Sequence, residues 1–279
     1  EKFNLPVELI IGSCGILILI EATRRVFGLP LVIIAVCFLL FSYFGRYAPE
    51  IISHGGLSLN RLVGFQWLDQ EAIFGITIGV SVDFIFLFVL FGALLETAGG
   101  GTYFLDLAFA MVGKMRGGPA KAAILGSGMT GLISGSSIAN TVTTGTFTIP
   151  IMKKTGFSKE KAGAIEVSSS VNGQLMPPVM GAAAFVMASF LGVTYFEVVK
   201  HAFLPAIISY VALFYISHLE ALKLNLKGMD DADVPNLKKT FLSGLHFLIP
   251  IFVLVYMLVY LRFTASYSIF FATIALIIV

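Results

Sequence analysis

The stretch from Gly117 to Lys154 limits what this chain can become more than any other segment. It reads GGPAKAAILGSGMTGLISGSSIANTVTTGTFTIPIMKK, with Lys114, Arg116 and Lys121 around its start and Lys153 and Lys154 at its end. Basic flanks mark the cytoplasmic side of a membrane segment. With both ends basic, the segment is predicted to enter the bilayer and return to the same side. Each arm has about 15 residues, against roughly 20 for a full crossing, so the turn falls inside the membrane. There, irregular backbone is tolerated only under cover of protein or beside an aqueous cavity. The small, hydroxyl-rich centre GLISGSSIANT is therefore a candidate place for an ion or substrate to bind.

Composition agrees with a lipid solvent. Hydrophobic residues make up 57% of the chain and charged ones 12%, with a mean hydropathy of +0.94. Soluble domains carry about 25% charged residues. The expected class is an all-α polytopic membrane protein. A net charge of +2 gives no ground for a nucleic-acid partner. Cys14 and Cys37 lie within apolar runs and are expected as buried thiols, not a disulfide. His54, His201, His218 and His246 show no metal spacing, and no nucleophile–base pair or phosphate loop appears. An enzyme reading has little support. The chain lacks an initiator Met and stops inside the apolar run YSIFFATIALIIV. Both ends are expected to be internal to a longer membrane protein.

Charge and hydropathy divide the chain into four segments. Residues 1–60 hold spans at Val7–Ala22 and Leu29–Gly45 and an outer loop. Residues 61–117 hold an interfacial stretch around Trp67, a span at Ile76–Ala98, and an amphipathic helix at Thr102–Met115 expected on the cytoplasmic surface. Residues 118–194 carry the hairpin and a second irregular element. Residues 195–279 return as spans at Tyr195–Leu222 and Phe241–Leu261, followed by the unfinished run. Arg24/Arg25, Lys114/Arg116, Lys153–Lys161 and Lys223/Lys227 then all face the cytoplasm. Ser158 is expected to cap the helix after the hairpin.

Two irregular elements carry the chemistry. The hairpin tip is Ser134-Gly135-Ser136-Ser137-Ile138-Ala139-Asn140-Thr141, whose glycine allows a sharp reversal and whose oxygens suit a hard cation. The helix from Ala162 to Leu191 is interrupted by Asn172-Gly173-Gln174-Leu175-Met176-Pro177-Pro178. The prolines lack N–H donors, so carbonyls near Gly173 and Gln174 are expected to lose their helical partners and become available to Na⁺. Paired discontinuous helices of this kind are a recurring transporter design. Small residues can also mean close helix packing, and a proline a simple kink. No Lys or Arg falls at membrane depth in either element. An anionic cargo would then rest on N–H groups, hydroxyls and bound Na⁺, with Ser136, Ser137, Asn140, Thr141, Thr143, Thr144 and Gln174 as its expected contacts. Asp83 reads equally as a functional acid or an interfacial one. Glu166 reads equally as a partner for a cytoplasmic lysine or a support for the broken-helix loop. Glu96 and Glu220 sit near span ends, where snorkelling explains them.

These stretches resemble a known family. EATRRVFGLP, FIFLFVLFGALLE, RGGPAKAAILGSGMTGLISGSSIANTVTTGTFTIPIMKKTG and GQLMPPVMGAAAFVMA are similar to the fused permease of tripartite ATP-independent periplasmic (TRAP) transporters, in the branch served by TAXI-type binding proteins. The likeness runs from about Glu21 to Leu226. It implies an elevator-type fold in the bacterial inner membrane. It also implies symport driven by Na⁺ and an organic-acid cargo delivered by a periplasmic substrate-binding protein. Carried over residue by residue, it implies one Na⁺ site with Ser134, Gly135, Ser136, Ser137 and Asn140 on the tip. Gly173, Met176 and Pro178 face them, mainly through carbonyls. It further implies a second hairpin and broken helix beyond residue 279, and a small membrane subunit mostly upstream. The nearest rival is a receptor-independent Na⁺/dicarboxylate symporter. An ion channel and a structural membrane subunit are the readings from other classes.

Overall fold

The computed structural model describes residues 6–279, and all regular structure among them is helical. The protein is an all-α polytopic membrane protein. Four helices are long and apolar enough to cross a bilayer: Pro6–Phe27, Leu29–Tyr47, Ile76–Thr97 and Tyr195–Lys223. A bent pair, Leu237–Ser243 with Leu245–Tyr260, makes a fifth if counted as one span. Two compact units divide the chain, Glu1–Gly79 and Val80–Val279.

The first unit contains α1 (Pro6–Phe27), α2 (Leu29–Phe44) and α3 (Leu59–Val63), and α4 (Ile76–Val80) begins at its end. Trp67, expected at an interface, packs on α1. A Cβ on Gly15 would lie 2.2 Å from the indole, and one on Gly12 would lie 2.7 Å from Val63. Those glycines are the only residues that α1 buries. Cys14 and Cys37 are exposed free thiols, which corrects the expectation of burial. Helices that are apolar all round place apolar side chains outward, where lipid rather than protein covers them.

The second unit holds α5 (Phe86–Thr97), α6 (Gly100–Val112), α7 (Gly118–Ser134), α8 (Ser137–Lys154), α9 (Lys159–Gly173), α10 (Ala182–Leu191), α11 (Tyr195–Lys223), α12 (Leu237–Ser243), α13 (Leu245–Val255) and α14 (Ala265–Ile278). A π-helical stretch, Ser81–Ile85, leads into α5. Gly99, at φ +102°, separates α5 from α6. The helix expected on a surface, Thr102–Met115, is instead α6, with Tyr103, Phe104, Leu105, Leu107, Ala108, Phe109 and Val112 buried. Within α6 only Thr102, Asp106 and Met111 remain exposed. Its apolar face is too wide for a surface helix, and Gly126 of α7 lets it close in on Leu105. The expected span Phe241–Leu261 is also revised. The chain breaks at Gly244 and bends by 62°, at a point where a Cβ would run into the Tyr103 ring.

One end of this unit gathers the polar and basic groups. The Gly117 amide donates to the Lys227 carbonyl at 3.3 Å and the Met229 amide to Gly113 at 2.9 Å. Lys114 pairs with Asp231 at 2.7 Å, and Lys161 pairs with Glu220. Glu220 is therefore ion-paired rather than simply snorkelling. Ser158 caps α9 as expected, accepting from the Lys161 amide. Lys121 departs from its expected role as an aqueous flank. It is buried, with Nζ 3.0 Å from His218 Nδ1, since the first turn of α7 faces α11.

Glycines set the register of α7 on α11. Gly117 packs on Ala221 and Gly128 on Tyr210. The second pair lies eleven residues further along α7 and eleven residues back along α11, so the two helices run antiparallel. A Gly244→Ala substitution is expected to displace Tyr103, because its Cβ would lie 2.1 Å from the ring. A loss of roughly 1–3 kcal/mol follows from such overpacking, read as a lower thermal unfolding midpoint in detergent.

Candidate functional site

The helical hairpin is present, with arms of 17 and 18 residues. Its reversal rests on Gly135 at φ +55°, a conformation that costs other residues roughly 1–2 kcal/mol. Space imposes the same choice, since a Cβ there would lie 2.2 Å from the Met180 carbonyl. Ser134 Oγ lies 3.5 Å from the Ser136 amide. Ser136 caps α8 by accepting from the Ala139 amide at 3.3 Å. Ser137 Oγ accepts from Gln174 Nε2 at 3.1 Å, tying the tip to the second irregular element.

That element is a broken helix. α9 stops at Gly173 and α10 starts at Ala182. The expectation of carbonyls left without partners is corrected. Gly173 accepts from the Met176 amide at 3.1 Å and Gln174 from the Gly181 amide at 2.8 Å. Pro178 and Val179 share the Tyr195 hydroxyl, each at 2.8 Å. The helical bonds are lost, but turns and a tyrosine replace them, as burial of backbone polar groups requires. Hairpin and loop meet backbone to backbone. A Cβ on Gly131 would lie 2.6 Å from Gly173 Cα.

Asn140 is buried at 2% exposure and bridges the two arms. Its Nδ2 donates to the Ser127 carbonyl at 3.0 Å and its Oδ1 accepts from Thr130 at 2.5 Å. The three threonines that follow do not line one path. Thr141 donates to the Ser137 carbonyl, Thr143 faces Glu96 of α5, and Thr144 faces Glu166 of α9. Successive helical residues point about 100° apart. Gln174 and Ser137 are together at the tip, whereas Met176 packs with the apolar cluster nearer the hairpin base.

Glu166 sits between the arms with no exposure to solvent. Neither of its expected roles holds: among the described residues it pairs with no lysine, and its contacts are with hydroxyls. Thr144 and Thr148 donate to it, and Ser127 and Ser170 lie at 3.5 and 3.4 Å. Gly145 makes the room, since its Cβ would stand 3.1 Å from Glu166 Cγ. Every oxygen in these clusters is a hard ligand, the donor set that an alkali cation prefers. The carbonyls of Gly173 and Pro178 each keep a lone pair beyond the bonds they accept. The tip residues therefore fit Na⁺ in chemistry.

A family model described as tripartite ATP-independent periplasmic transporter, DctM component, matches residues 14–279. The chain belongs to that family. Relatives include an uncharacterized protein YgiK of Salmonella typhimurium, 28% identical over 63% of this chain and 40% of its own length. A putative TRAP transporter large permease of Haemophilus influenzae is 26% identical over 63% and 41%. The C4-dicarboxylate TRAP transporter large permease DctM of Vibrio cholerae is 37% identical over 33% and 20%. The chain thus spans about two fifths of the length of the first two relatives. The last two names are those of transporter permeases.

The resemblance singled out the tip of the hairpin and the loop facing it, and these do touch. It missed Ser127, Thr130, Thr148, Ser170, Tyr195 and the central place of Glu166. The spacing of Asn140, Thr144 and Thr148, one turn apart, marked a polar face on α8 and was the available signal. Gly135→Ala is expected to push the tip off Met180 and lower stability by at least about 1–2 kcal/mol, seen in thermal unfolding. Glu166→Ala is expected to cost about 1–3 kcal/mol. The low end is favoured because Thr144 and Thr148 have backbone carbonyls to turn to, at 2.7 and 3.0 Å. Glu166→Gln keeps the shape and should cost less in the same assay.

Proposed function

We propose that the chain is the portion of a Na⁺-coupled secondary-transport permease that carries its first ion site. The whole protein would take up an organic acid delivered by a periplasmic substrate-binding protein of the TAXI type, with a small membrane subunit and a second hairpin completing it. The observation that carries this reading is the height of the hairpin. Continuing the register of Gly117 on Ala221 and Gly128 on Tyr210 puts Ser134 level with Leu204. That is roughly 14 Å short of Tyr195 at 1.5 Å per residue. The hairpin is thus shorter than the spanning helix beside it, as a re-entrant element must be. Its tip meets backbone from an interrupted helix, the pairing that ion-coupled transporters use.

The residues divide the work. Gly131, Gly135 and Gly173 let two backbones approach, and Ser137 with Gln174 sets their alignment. The N-terminus of α8 directs amides toward the tip, where an anion is favoured. Bound Na⁺ would add the positive charge that neither irregular element supplies from a side chain. Tyr195 holds the loop carbonyls from α11. Coupling follows if cargo and ion bind better together than apart. In an elevator, the hairpin-bearing body then moves against a scaffold.

Uptake by the full permease in proteoliposomes, with its binding protein and a panel of organic acids, tests this. Saturable uptake that needs both Na⁺ and the receptor is expected. Uptake that ignores Na⁺ overturns the coupling. Uptake without the receptor favours a receptor-independent symporter, and steady current without saturation favours a channel.

A further inference from the structure

The last turn of α5 reads GALLE, with Gly92 and Glu96 one turn apart on the same face. Gly92 brings the α5 backbone onto the hairpin tip, since its Cβ would lie 2.9 Å from the Ile133 carbonyl and 3.3 Å from Ser134 Cα. That approach sets Glu96 beside α8, where it accepts a hydrogen bond from Thr143. A cavity of about 20 Å³ lies between them. Five oxygen-bearing side chains line it: Glu96, Thr130, Ser134, Asn140 and Thr143. Its size suits one water-sized particle, the minimum being roughly 10–15 Å³.

We infer that this cavity is a binding site for one monovalent alkali cation, Na⁺ in the first instance, with Glu96 as its anionic ligand. The inference rests on the reading of the chain as part of a Na⁺-coupled permease and adds a site on the α5 side of the tip, which Ser134 and Asn140, named above for the first ion, also line. Charge favours it. Among the described residues, no Lys, Arg or His nitrogen lies within 4.0 Å of Glu96 in an ion pair. A single carboxylate neutralises one monovalent ion, whereas a divalent ion would leave net charge in an apolar body. No group of three or more His, Cys, Asp or Glu suited to a divalent metal occurs among those residues. The C-terminal ends of α5 and α7 both point here, and helix C-termini favour cations. The N-termini of α6 and α8 offset part of that.

Proton placement allows it too. The Thr143 hydroxyl has a second acceptor in the Ala139 carbonyl at 2.9 Å. Thr130 has the Gly126 carbonyl at 2.9 Å and the Ser127 carbonyl at 3.3 Å. Each hydroxyl can turn its proton to the backbone one turn behind. Doing so frees Glu96 and Asn140 Oδ1, together with the hydroxyl oxygens themselves, to face a cation. No buried proton is orphaned in the exchange.

The test is equilibrium binding of radioactive Na⁺ to the full permease in nanodiscs, with choline replacing Na⁺ as control. Glu96→Gln is expected to bind one fewer Na⁺ per protomer at saturation. Thr143→Val, which keeps shape and charge, should bind Na⁺ several-fold more weakly at that site. Ser136→Ala, at the tip, should leave this site occupied. Unchanged stoichiometry and affinity in both Glu96→Gln and Thr143→Val would overturn the inference and make the cavity a water site only. If those two match the unmodified protein while Ser136→Ala loses Na⁺, only the Glu96 site fails. Absence of Na⁺ binding in the unmodified protein would sink both this site and the Na⁺-coupled reading.

Discussion

Backbone polar groups in an apolar surrounding must find partners without water, and this constraint governs the second unit. A helix that ends inside such a body leaves amides at one end and carbonyls at the other. Here two interrupted helices end against each other. The tip at Ser134–Ser137 and the loop at Gln174–Gly181 share the Gln174–Ser137 bond, while Tyr195 takes up two loop carbonyls. The approach is close because Gly131, Gly135 and Gly173 carry no side chain. Larger residues at these points would hold the two irregular segments apart and leave both short of partners.

Around that junction the polar groups form a layer between two apolar clusters. One cluster lies near the hairpin base, with Ile124, Met152, Phe157 and Ala221. The other lies toward the tip, with Phe91, Ile133, Val179 and Phe185. Between them, Glu166 collects hydroxyls from both arms of the hairpin and from its own helix, and Asn140 joins the arms directly. Satisfied buried networks of this kind specify one arrangement of the helices they join. α7, α8 and α9 are thereby joined into one packed body, with α11 alongside them.

Much of this was legible in the residues. Basic flanks and short arms around GLISGSSIANT gave the hairpin, and NGQLMPP gave the interruption. Ser158 marked the start of α9 correctly. Other readings failed for identifiable reasons. Hydropathy treats an apolar residue as buried, whether lipid or protein covers it, so Cys14 and Cys37 were misjudged. Periodicity placed α6 on a surface, although its partners lay elsewhere in the chain. A proline implies a lost donor, but it does not say which amide or hydroxyl will serve the stranded carbonyl.

What the sequence determined by itself was local: which segments are helical, where they stop, and that the medium is lipid. Period, capping groups and missing N–H donors act within a few residues, so a single chain reading captures them. Which oxygens face one another was decided only in three dimensions. Glu96 and Thr143 are 47 residues apart, and Glu166 and Ser127 are 39 apart. Their meeting depends on helix register, set by where glycines let one backbone approach another. That register is a property of pairs of helices, and no single segment contains it.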